Sequence, residues 1–214
     1  MTAQLSDKFR YRGEEYDIAG ISGGELFEPE HLGMKTTYCS SACWRGYRAV
    51  YALDGDYLVL DALCANLMKP ETDNEREPGP PINGVMPVDG RSLLDRFSNE
   101  HERDRYRSAH TATWFNNFYE TLRYRLDYSG GLLLASGFID GLYVHMGFHP
   151  AWKFEKVFEL TFESGVLRQE YDRSAAMAEL RQMFLDDPSD LAPGPKATDD
   201  DIRKYVERAF DRRY

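Results

Sequence analysis

Aromatic and charged residues alternate through Lys8–Tyr11 and Glu14–Ile18, on either side of Arg12-Gly13. Successive side chains of an extended strand point to opposite faces, so this alternation predicts a short hairpin. A stronger signal follows in RGYRAVYAL (Arg45–Leu53) and YLVLDAL (Tyr57–Leu63), which flank Asp54-Gly55. An Asp-Gly pair tolerates the positive φ that a two-residue hairpin turn demands. Tyr47, Ala49, Tyr51 and Leu53 then share one face, while Arg48, Val50 and Ala52 share the other. The same grammar returns in Lys156–Phe162, Ser164-Gly165 and Val166–Tyr171, with one extra residue, Glu163, before the turn. The two units are either an internal duplication or two hairpins obeying the same physics. Both readings give a sheet built from repeated hairpins.

The remaining segments punctuate that pattern. Ser22-Gly23-Gly24 and Pro29 mark Glu25–Gly33 as loop, and the Pro- and charge-rich Lys69–Pro81 reads as an exposed loop. Leu93–Asn117 fits either a solvated helix or a loop. Strand character resumes over Phe118–Leu134, with Ser129-Gly130-Gly131 as a break. Ser174 is placed to cap a helix over Ala175–Leu185, a run of good helix formers. Thr198 is placed to cap another, whose apolar stripe is Ile202, Tyr205, Val206 and Phe210. The fold expected is α+β: a mostly antiparallel twisted sheet or partly open barrel, with C-terminal helices. Residues 1–186 form the strand-rich globular domain, 187–197 a linker, and 198–214 a helix docked on it.

Charge narrows the function classes. The chain has 214 residues, with 36 Asp plus Glu against 26 Lys plus Arg, a net charge of −10. A nucleic-acid binder shows a basic patch or stripe, and here the basic residues are interspersed with acids, which argues against that partner. The longest apolar run, Gly131–Ala135, is far too short to span a bilayer, and the N-terminal stretch lacks the apolar core of a leader peptide. Three cysteines, an odd number, suit a reducing compartment, so a cytoplasmic address is expected. An acidic surface suits a basic protein partner.

Candidate chemistry is sparse. Cys39 and Cys43 are spaced C-x3-C, and His145 and His149 are spaced H-x3-H, residue types and intervals that zinc accepts. Met146 stands where a metalloprotease helix carries its Glu, and Gly147 and Pro150 make the segment a loop, so no metal site is favoured. Cys43 is a candidate nucleophile with His145 or His149 as base and Asp140 to orient it. There is no P-loop, no dinucleotide glycine fingerprint and no G-x-S-x-G elbow, and no cofactor is expected. Gly141–Trp152 (GLYVHMGFHPAW) concentrates Tyr143, His145, Phe148, His149 and Trp152, amphipathic side chains that serve as recognition anchors. Trp44, Arg45 and Tyr47 form a smaller group of the same kind, with Arg45 able to clamp an anion or stack on Trp44.

In order, ACWRGYRAVYALDGDYLVLDAL, PPINGV, YSGGLLLASGFI and YVHMGFHPAWKFEKVFELTFESGVL resemble a family of uncharacterised bacterial proteins with the same succession of segments. The likeness spans Lys8 to Asp172, and GFHPAW is its most distinctive piece. It implies a bacterial, cytosolic origin and transfers no activity. The function expected is a non-enzymatic binding or interaction protein, with an immunity or defence-accessory role as one form of it. The alternative is a hydrolase using a Cys/His or metal site.

Overall fold

Each predicted hairpin is present. The structure, a computed structural model, describes residues 2–67, 78–109, 111–186, 198, 203–204, 207 and 211–214. In chain order its elements are β1 (Lys8–Tyr11), β2 (Glu14–Ile21), β3 (Tyr47–Asp54), β4 (Tyr57–Ala65), α1 (Glu100–Ala109), β5 (Asn117–Tyr119), β6 (Tyr124–Arg125), β7 (Gly130–Phe138), β8 (Phe154–Glu163), β9 (Val166–Asp172) and α2 (Ser174–Asp186). Short 3-10 turns punctuate the connections. The chain is α+β, and its strands are mostly antiparallel. No helix among the described residues is long and apolar enough to cross a membrane. The 187–197 linker, residues 69–77 of the Pro-rich loop and the stripe Ile202, Tyr205, Val206 and Phe210 lie outside the described residues.

The chain divides into two compact units. The first combines residues 1–26 with 127–214. Its strands run β1-β2-β7-β8-β9, every neighbour antiparallel. Strand β7 is apolar on both faces, which is why its sequence shows a run of leucines instead of alternation. Leu132 and Leu134 are fully buried on one side; Leu133 and Ala135 join Ala19, Ala151, Phe154 and Val157 in a cluster on the other. Strand β2 carries a bulge between Ile18 and Gly20, so that Ala19 is the extra residue opposite β7.

Two local expectations need correction. The break between strands falls at residues 126–129, which include Ser129, but Gly130 and Gly131 are not part of it, because β7 starts at Gly130. Gly131 is small for a packing reason: a Cβ there would meet the Tyr214 hydroxyl and Ser22 Oγ. Ser174 begins α2 without capping it in the ordinary way. Its hydroxyl accepts from Val157 N at 3.0 Å, and its own N–H donates to Asp172 Oδ1 at 2.9 Å. The serine thus ties the helix start to β8.

The second unit, residues 27–126, is organised on β4. Strand β3 pairs one edge through the Asp-Gly hairpin, and β5 and β6 pair the other. Tyr47, Ala49 and Tyr51 are buried on the face that the sequence pattern predicts, and Leu58, Leu60, Leu63, Phe115 and Tyr119 complete that core. The ambiguous stretch before β5 resolves into a 3-10 turn (Gly90–Arg96), α1 and another 3-10 turn (Thr111–Trp114).

Candidate functional site

In the first unit a cavity of about 600 Å³ opens between the sheet and α2. Its floor is Ala19 and Leu133, side chains that β2 and β7 present away from the Leu132–Leu134 side. Met177, Leu180 and Phe184 supply one wall. They recur at helical spacing and, with Arg181, form the half-buried stripe of α2. The loop from Gly141 to Lys153 supplies the opposite wall, and residues 211–214 complete the lining.

The wall loop is held by contacts at many points. Phe138 packs against His149 at 4.6 Å, Phe154 at 5.3 Å and Tyr143 at 6.4 Å between ring centroids. Gly147 O accepts from Gln4 N at 2.7 Å. Trp152 meets Phe184 at 5.1 Å, and Arg181 donates from Nε to Trp152 O (2.7 Å) and from Nη2 to Phe154 O (2.6 Å). Helix, loop and β8 are thereby locked together. On the remaining side Ile21 N donates to Arg212 O at 2.8 Å, and the Arg212 guanidinium lies 4.9 Å from the Phe148 ring centroid.

Polar groups are few, and their pairing is uneven. Arg212 is paired with Asp7 at 2.9 Å; Asp7 is buried and Arg212 partly so. Arg213 is paired with Asp211, also at 2.9 Å. Lys153 is only 7% exposed, yet no carboxylate among the described residues lies within ion-pair distance of it. Its ammonium rests 5.3 Å from the Trp152 ring centroid, and burial lowers its pKa. His149 buries Nδ1 without a hydrogen-bond partner among the described residues. Its pKa falls to about 4, first because burial penalises the imidazolium and next because Lys153 is nearby, with Asp17 opposing. His149 is therefore a neutral imidazole at neutral pH.

No known protein family, curated protein or solved structure matches the chain.

The structure brings Tyr143, Phe148, His149 and Trp152 to one cavity. His145 is exposed and exchanges a 2.9 Å hydrogen bond with the Tyr143 hydroxyl; Asp140 is not its partner. Trp44, Arg45 and Tyr47 belong to the second unit. There Arg45 lies 4.4 Å from the Tyr47 ring centroid, Tyr47 donates to Phe27 O at 3.2 Å, and Trp44 is 52% exposed. Cys39 and Cys43 are also in the second unit, on a tight turn in which Cys43 N donates to Ser40 O at 2.9 Å. The Cys43 thiol is buried and donates to Tyr47 O, and Cys39 donates to Trp114 O, each at 3.3 Å. Burial, then the neighbouring Cys43, pushes the Cys39 thiol up to about 11, the reverse of what activates a nucleophile. Among the described residues no three His, Cys, Asp or Glu side chains are grouped to hold a metal ion.

Sequence reasoning missed Lys153, Ala19, Leu133, Arg212 and the α2 stripe. The stripe had a readable signal in the spacing of Met177, Leu180 and Phe184. Lys153 had none, because a lysine after a tryptophan reads as surface.

Proposed function

We propose that this chain is a binding protein, not a catalyst, and that the cleft between α2 and the Gly141–Lys153 loop receives its ligand. The observation that carries this reading is the cavity of about 600 Å³, walled by aliphatic and aromatic side chains with a few polar groups. Ligand pockets have this size and character, typically about 300–1,000 Å³ with a small number of orienting polar groups. Tyr143, Phe148 and Trp152 are its anchors. The hydrogen-bonded thiols of Cys39 and Cys43 do not favour a cysteine hydrolase.

The three cysteines are free, which supports a reducing bacterial cytosol as the setting. The net charge of −10 still suits a basic protein, the immunity-type partner, but at other surfaces, since the unpaired charge in the cleft is positive.

Titration with N-phenylnaphthylamine, a neutral dye that brightens in apolar sites, tests the proposal. The expected result is saturable binding of about one dye per chain, lost in Leu180→Trp, which fills the cleft, with the melting temperature of that variant little changed. A signal that never saturates, or one that Leu180→Trp leaves intact, would sink it.

A further inference from the structure

The binding reading leaves the chemistry of the ligand open, and the charges around the cleft narrow it. Four charged side chains line the cavity: Lys153, Asp211, Arg212 and Arg213. Arg212 is neutralised by Asp7 and Arg213 by Asp211. That leaves one ammonium, on Lys153, held in a mostly apolar wall without a carboxylate among the described residues. An unpaired buried charge is costly, and a group of opposite sign that enters with a ligand removes that cost. Close by, His149 lines the same wall with its Nδ1 unpartnered, a second polar atom that the protein itself does not satisfy. Beyond these two groups the lining is Leu133, Met177, Leu180, Phe184, Phe148 and Trp152, which call for hydrocarbon.

Resting on the binding reading above, we propose that the ligand is an amphiphilic monocarboxylate, its carboxylate held by Lys153 and its apolar chain lying along α2. His149 adds a hydrogen bond from its ring or accepts one from a neighbouring hydroxyl of the ligand. Arg212 and Arg213 take no part in binding the head group, because each already has its carboxylate.

The depressed pKa of Lys153 describes the site without a ligand, where burial alone acts on the amine. A bound carboxylate restores its charge, so binding takes up a proton wherever the free amine is partly neutral.

Displacement of N-phenylnaphthylamine by decanoate, decanol and decylamine at neutral pH separates the possibilities. The three share a chain and differ in head group. The expected order is decanoate strongest and decylamine weakest, with decanoate ahead of decanol by about tenfold to a hundredfold, the range for a hydrogen bond to a charged group. Lys153→Met is expected to abolish that preference, leave decanol unchanged and keep or raise the melting temperature; Lys153→Gln serves as a second neutral variant. Equal displacement by all three in both proteins would overturn the head-group assignment and leave the cleft as a binding site. Dye that binds but yields to none of the three would overturn the amphiphile. Failure of the dye itself to bind would remove the binding reading, and this inference with it.

Discussion

His149 shows how much one ring can report. In the unfolded chain it titrates near its ordinary 6.5, and in the fold near 4. As pH falls through that interval the unfolded state takes up the proton first, so its contribution to stability is complete above about 6.5 and is lost on the way down to 4. The imidazole is only half-buried, so the slope is shallower than the full shift implies. The paired carboxylates do not confuse the interval. Glu14, held down by Lys156, and Asp172, held down by Ser174, change charge mainly below their ordinary 4.5 and 3.8, so they contribute little by pH 5. Urea midpoints at about pH 7.5 and about pH 5 should therefore differ in the parent and converge in His149→Phe. Equal differences in both proteins would remove His149 as the cause. His149 was legible in the sequence because a histidine among aromatics and prolines stands out. Lys153 was not: its charge suggests solvent, and only the packing of α2 over the loop puts it in an apolar wall. Gly131 misled for a related reason, since a glycine pair signals a turn unless one knows that Tyr214 lies over it.

At the scale of elements, the hairpins could be read and their partners could not. Period-two alternation and the Asp-Gly and Ser-Gly turns define β3–β4 and β8–β9 locally, residue by residue. That β2 pairs β7 is a long-range fact carried by no local pattern. The cavity depends on another such fact, the docking of α2. None of its residues is fully buried, so its attachment rests on a narrow stripe and on Arg181. Arg181→Ala removes both hydrogen bonds to the loop backbone and should destabilise the protein by about 1–3 kcal/mol, read from urea unfolding. It should also weaken dye binding, because the two cleft walls lose their cross-tie. A variant with unchanged affinity would show that the stripe alone positions the helix.

For the whole molecule, the first unit is discontinuous in sequence. Its β1–β2 hairpin lies before the second unit and everything it pairs with in its own unit lies after. A lone two-stranded hairpin is marginal in water. A peptide of residues 1–26 should therefore leave the amides of Phe9, Tyr16 and Ile18 unprotected in hydrogen exchange, although all three are buried in the full protein. Strong protection in that fragment would show that β2 is stable without β7. Contacts of such sequence separation also slow folding, because the loop must close before the pairing contributes.

The bulge at Ala19 has an engineering consequence. Its side chain forms part of the cleft floor, yet it is the extra residue of β2 and stands outside the register with β7. Position 19 can therefore act as a depth stop, changeable without re-pairing the sheet. Ala19→Val and Ala19→Leu should move the preferred alkyl chain to progressively shorter lengths, and a series of fatty acids would calibrate the ruler.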